Sequence, residues 1–250
     1  MRGVCSFVFA CALGCSGPVD VDVVRVPVDD GDAYDDDAPL ATALIEDRGS
    51  AAPAVAVDAA AIFLAAGLRA DVAQDAGRAV QNAREQGLLE VPVFAVIDFS
   101  LPSTQRRLWT FDVDSGAVLF NDRVSHGSGS NSDADRAMAA RFSDTPGSLM
   151  SSLGLSRGAE TYEGQNGYSL RLDGLEDSND NMRDRAIVVH GAAYAEDAFV
   201  DDNGYLGRSS GCPAVAMSRS AAFIDLVKEG ALLLQWFPDE AWRSSSPFLR

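Results

Sequence analysis

Gly207-Arg208-Ser209-Ser210-Gly211-Cys212-Pro213 follows, after a polar loop, the apolar run Ala186-Ile187-Val188-Val189-His190-Gly191. The run is short and β-branched, so it reads as a buried strand that ends in a histidine. The heptapeptide places a cysteine between glycine and proline among small, polar or basic neighbours. That setting predicts an accessible sulfur with thiolate character. Cys212 lies 212 − 190 = 22 positions after His190, so the chain must loop out from the strand and return beside it. Asp201-Asp202-Asn203-Gly204 supplies residues suited to that turn. Taken singly, Cys212 is an inert thiol and His190 a satisfied strand-end histidine; as a pair they read as nucleophile and base.

Outward from this pair the chain is rich in short strand signals. Val91 to Phe99, Arg107 to Asp112, Ala117 to Phe120, Gly167 to Leu172 and Ala231 to Phe237 are β-branched or aromatic segments bounded by turns. Asp114-Ser115-Gly116 predicts a hairpin between the second and third of them. A late helix is expected from Ser218 as N-cap to Glu229, with Gly230 after it and Phe223, Ile224 and Val227 facing inward. Ahead of the strands, Ala59 to Leu68 and the spacing of Val72, Ala76, Ala79, Val80 and Ala83 predict two short helices stopped near Gly87. Residues 53–90 are therefore a helical segment packed on a mainly β, α+β body at 91–250.

The chain has 250 residues with 47% hydrophobic content, enough for one sizeable core. Its net charge of −17 and lack of a basic patch exclude nucleic acid as a natural partner, because phosphate binding needs clustered Lys and Arg. Three of four cysteines, Cys5, Cys11 and Cys15, fall in the first fifteen residues, so Cys212 has no intramolecular disulfide partner in the body. One body cysteine and two separated histidines make no zinc set, and no metal or cofactor is expected.

Arg2 followed by the apolar stretch Val4 to Leu13 reads as an export signal too short to span a bilayer. Ala12-Leu13-Gly14-Cys15 resembles a bacterial lipobox, so residues 1–15 are a signal ending at a lipidated Cys15. An ordinary secretory signal is the alternative. Residues 16–52 form an acidic tether: ten acids against Arg25 and Arg48 place −8 of the −17 there. The expected location is the periplasm or cell envelope, with the outer membrane as the preferred anchoring surface.

Val189-His190-Gly191 and Gly207 to Val215, together with Ile97-Asp98-Phe99-Ser100, Val124-Ser125-His126-Gly127, Ser151-Ser152-Leu153-Gly154 and Gly167 to Leu172, resemble the murein L,D-transpeptidase catalytic domain family, a branch of the YkuD-like enzymes. The resemblance runs from about Val91 to Phe237. It implies a YkuD-like β-sandwich and action on peptidoglycan stem peptides, with Cys212 as nucleophile and His190 as base oriented by the Gly191 carbonyl. Amides of Gly211 and Cys212 are the candidate oxyanion donors. Ser209 and Ser210 line the expected substrate side. Arg208 is a candidate to lower the thiol pKa, or an exposed loop arginine. Arg171 is either a surface residue or an anchor for a substrate carboxylate.

The chain departs from the wider family at Ser210, where a histidine is usual, and at Pro213-Ala214-Val215, where an arginine is usual soon after the cysteine. His126 is expected to fill the vacancy at Ser210 by pointing into the cleft of Cys212 and orienting the stem peptide. A surface strand-end histidine is its plainer reading. The implied activity is transfer of the acyl group to an amine. The alternatives are transfer to water, as in an L,D-carboxypeptidase, and a wall-binding lipoprotein without catalysis.

Overall fold

The computed structural model describes residues 58–250; the expected signal, the tether and Cys15 lie outside them. Two helices come first. Ala59–Ala65 (α1) starts at Asp58, whose carboxylate accepts the Ala60 N–H at 3.0 Å, and Ala70–Glu85 (α2) turns Val72, Ala76, Ala79, Val80 and Ala83 to the core. Phe63 of α1 is fully buried, with its ring 4.6 Å from that of Phe111 and 5.9 Å from that of Phe94. The helical segment is thus part of the main hydrophobic core. It is also stapled by polar contacts: Asp75 of α2 accepts from Trp236 Nε1 at 2.9 Å and from Arg243 Nε at 2.6 Å.

Eight strands follow: Val93–Asp98 (β1), Leu108–Asp112 (β2), Val118–Asp122 (β3), Gly154–Gly164 (β4), Gly167–Gly174 (β5), Val188–Ala192 (β6), Ala214–Ala216 (β7) and Leu232–Trp236 (β8). They form one sheet in the order β3-β2-β1-β8-β4-β5-β6-β7. β1 with β8 and β6 with β7 are parallel, and the remaining pairs are antiparallel. The mainly β expectation holds. The sheet also closes on itself: the chain leaving β3 bonds the far edge through Ser125 N–H to the Ala214 carbonyl (2.8 Å) and through a parallel bridge from Gly127 to Ser209. Pairing two edges that would otherwise be open gives the barrel-like form, and it carries the segment 125–127 to the cysteine loop.

Helices Asp197–Asn203 (α3), Met217–Val227 (α4) and Glu240–Ser245 (α5) complete the described chain. Three local expectations change. Asp201 to Asn203 belong to α3, and the turn is made by Gly204 alone, at φ 77°. Ser218 is not an N-cap but sits inside α4, where its N–H and hydroxyl meet the Glu196 carboxylate at 3.1 and 3.2 Å. That carboxylate, brought from the residue that precedes α3, satisfies the free amide and the positive helix end that a cap would otherwise serve. α4 also stops at Val227, before the expected Glu229.

Candidate active site

The parallel pairing of β6 and β7 brings the two ends of the 22-residue excursion together. His190 pairs with Ala214, so Cys212, two residues earlier, enters beside the start of β6. Its Sγ lies 3.5 Å from the Val188 N–H and 3.7 Å from the Ala186 carbonyl. His190 is almost fully buried, and its Nδ1 lies 3.0 Å from the Gly191 carbonyl. A carbonyl only accepts, so Nδ1 carries the proton and Nε2 is left with its lone pair, the form a general base requires.

A collar of small residues holds the cysteine loop. The Ser209 hydroxyl accepts the Gly211 N–H at 3.1 Å and donates to the Cys212 carbonyl at 2.6 Å. Ser151 bridges from the other side, accepting the Gly127 N–H at 3.0 Å and donating to the Gly211 carbonyl at 3.1 Å. Gly211 has φ 124°, and a Cβ there would lie 2.7 Å from the Met150 carbonyl oxygen. A Cβ on Gly127 would lie 2.9 Å from the Gly211 Cα and overlap the Leu149 carbonyl. Both glycines are therefore required by contact between backbones.

Beneath the collar lies Arg185, with its side chain only 3% exposed. Its Nη1 bonds Asp144 (2.9 Å), Ser152 Oγ (2.7 Å) and the Ser143 carbonyl (3.0 Å), and its Nη2 bonds the Met150 carbonyl (2.6 Å) and Ser148 Oγ (3.3 Å). Nη2 also lies 3.2 Å from where a Gly211 Cβ would sit. One guanidinium thus gathers residues 143–152 beside the cysteine loop.

The electrostatics correct the expectation of a ready thiolate. Burial pushes the Cys212 thiol above its usual range, and the Val188 N–H and the Arg185 charge offset this only in part. Burial likewise lowers the imidazole of His190, against the bond to Gly191. Burial thus disfavours the charged form of both groups. Tyr194 packs edge-on to His190 with ring centroids 6.5 Å apart. Its hydroxyl is pushed up to about 12 by burial and by the Cys212 charge.

The family model for the L,D-transpeptidase catalytic domain matches residues 64–236. The chain belongs to the L,D-transpeptidase catalytic domain family. No curated protein matches the chain. Among solved structures, an L,D-transpeptidase from Mycobacterium smegmatis is 15% identical with a TM-score of 0.36, aligned over 58% of this chain and 59% of that one. L,D-transpeptidase 1 of Mycobacterium tuberculosis is 14% identical with a TM-score of 0.33, over 58% and 62%. An L,D-transpeptidase from Stackebrandtia nassauensis is 11% identical with a TM-score of 0.35, over 66% and 67%. The chain thus spans less than two thirds of the M. smegmatis structure. The family match begins at residue 64, near the end of α1, and takes in α2 and all eight strands.

Several residues named from the sequence take other roles in this L,D-transpeptidase domain. His126 is fully buried: Arg107 Nη2 donates to Nδ1 at 2.9 Å, and Nε2–H donates to Asn131 Oδ1 at 3.1 Å. Both ring nitrogens are occupied, and burial beside the Arg107 charge lowers the imidazole to about 3. Its backbone carbonyl reaches the cysteine loop, accepting the Ser209 N–H at 3.2 Å. Its reading as a substrate-orienting group gives way to that of a buried strut.

Ser209 is turned inward, so it braces the loop rather than facing a ligand, and its hydroxyl already takes the Gly211 N–H proposed for an oxyanion. Ser210 is exposed. Arg208 stacks on Tyr205 at 4.7 Å and donates to the Arg136 carbonyl; the cation that acts on the thiol is Arg185. Arg171 is held by Glu160 at 3.2 Å and by the Tyr162 ring at 4.5 Å, beside Val188 in register. Arg185 and Tyr194 were not among the sequence candidates. Their only advance sign was nearness in sequence to the His190 strand.

Proposed function

We propose that the protein is a cysteine-dependent L,D-transpeptidase acting on peptidoglycan tetrapeptide stems. The observation that carries this reading is the fixed tautomer of His190, whose Nδ1–H is committed to the Gly191 carbonyl, on the strand that runs beside the Cys212 loop. In the first half-reaction the Cys212 sulfur attacks the carbonyl that joins the L-centre of a diamino acid to the terminal D-alanine. His190 Nε2 takes the thiol proton and passes it to the departing amine, so the C–N bond breaks, D-alanine leaves and a thioester remains. The Cys212 N–H serves as a donor to the tetrahedral oxyanion. In the second half-reaction an amine of another stem attacks the thioester, and the sulfur recovers a proton through His190.

Purified protein incubated with disaccharide tetrapeptides should release D-alanine and form cross-linked dimers, and Cys212→Ala should abolish both. Tripeptide without dimers would make water the acceptor and the protein an L,D-carboxypeptidase. Equal peptidoglycan binding by wild type and variant without any product would leave a wall-binding protein instead. Attachment to the cell envelope through Cys15 belongs to the same proposal. Labelled palmitate that still incorporates into a Cys15→Ala variant would remove that part.

A further inference from the structure

Leu149 combines three properties that rarely coincide. It is a non-glycine residue with φ 56°, in the left-handed region that branched side chains avoid. It is 46% exposed although large and apolar. It is also held firmly, because both neighbours and its own carbonyl are engaged. The Ser148 hydroxyl and the Met150 carbonyl bond Arg185 Nη2 at 3.3 and 2.6 Å, and the Leu149 carbonyl accepts the Gly129 N–H at 2.9 Å. The Ser148 hydroxyl in turn accepts the Met150 N–H at 3.3 Å.

A strained residue persists only where its surroundings over-determine it, and such residues concentrate at ligand clamps and active sites. The turn 148–150 abuts the nucleophile loop, since the Met150 carbonyl lies against Gly211 and the Leu149 carbonyl against Gly127. A solvent-facing loop with no ligand would be more stable with asparagine or glycine at this φ.

We infer that Leu149 is a specificity-determining residue, an apolar wall beside Cys212 that contacts an aliphatic part of the stem peptide, with Arg185 as the clamp that forces it out. The inference rests on the proposed transpeptidase reading and extends it to the apolar portion of the acyl donor, either the aliphatic arm of its diamino acid or the methyl of its terminal D-alanine. The wall performs no chemistry. It removes apolar surface from water only when a stem is bound, so its loss should weaken peptide use without changing the sulfur.

Leu149→Asn separates wall from structure, because asparagine tolerates the left-handed region. The full chain is compared with wild type in three measurements: the thermal midpoint, the rate of Cys212 alkylation by iodoacetamide, and kcat/KM for D-alanine release from a disaccharide tetrapeptide. Leu64→Asn serves as the control, since Leu64 is equally exposed (47%) but on α1. The expected result for Leu149→Asn is an unchanged or higher midpoint, unchanged alkylation and a fall in kcat/KM of roughly 10-fold or more, the scale of one lost apolar contact. The control should keep wild-type kcat/KM. Unchanged kcat/KM in Leu149→Asn, or an equal fall in Leu64→Asn, overturns the inference while the transpeptidase reading stands. Absence of D-alanine release by wild type overturns both.

Discussion

Lowering the pH should weaken this fold through one buried imidazole. His126 is fully buried between Arg107 and Asn131 and stays neutral in the folded protein down to about pH 3, whereas in the unfolded chain it takes up a proton near its ordinary 6.5. The folded value lies below the unfolded one. Stability from the neutral imidazole is therefore complete above pH 6.5 and is lost progressively as the pH falls toward 3. Each pH unit in that window removes about 1.4 kcal/mol, so the loss between pH 7 and pH 4 is about 3 kcal/mol. For a domain of this size that is a drop of roughly 6–12 °C in thermal midpoint. Other groups titrate in the same range, with Asp98 and Glu176 raised by burial, so the measurement is a difference. Wild type and His126→Gln are melted at intervals from pH 7 to pH 4; the variant cannot take up the proton. The two curves should converge as pH falls, by about 3 kcal/mol over the range. Parallel curves would show that the imidazole is not held neutral, and the assignment of the Arg107–His126–Asn131 network would fail.

Two more expectations follow from the same contacts. Because burial raises the Cys212 thiol, its alkylation by iodoacetamide should go on accelerating past pH 8.5, where a free cysteine is half ionised; a plateau below pH 7 would restore the reading of a depressed thiol. Arg185→Gln removes the cation from the buried Asp144 and loosens residues 143–152, so the fold should lose about 3–5 kcal/mol and the thiol pKa should rise further. Denaturant unfolding and the pH dependence of alkylation read the two effects separately, and an unchanged midpoint would deny Arg185 its structural role.

Local pattern carried much of this protein. The β-branched run ending at His190 and the small residues around Cys212 reveal a strand and an exposed-looking turn without any tertiary knowledge, because propensity and residue size act locally. The helical spacing in 72–83 marked the face that α2 does bury. Cys212 and His190 taken singly gave no site; it was their pairing, together with the ordered blocks of the family resemblance, that placed both in one candidate site. The strand Gly154–Gly164 was not legible in the same way. It carries three glycines, mixes polar with apolar residues, and shifts register between Gly158 and Thr161, so no period of two survives. Ala214–Ala216 is too short to announce itself and exists because β6 offers it a parallel edge.

Only the tertiary structure decided what each polar side chain does. His126 and His190 both stand before a glycine and both read as strand-end residues, yet His126 lies beyond β3, sealed against Arg107, and His190 sits in the middle of β6 with Nδ1 on the Gly191 carbonyl. Ser209, Ser210 and Arg208 share one loop but face a backbone brace, solvent and Tyr205. Arg185 bears on the Cys212 thiol through its charge from 27 positions away, 212 − 185, a proximity that sequence spacing does not encode. The physical reason is that strand and helix preferences are set within a few residues, whereas desolvation and charge proximity depend on which distant segments closure of the sheet brings together.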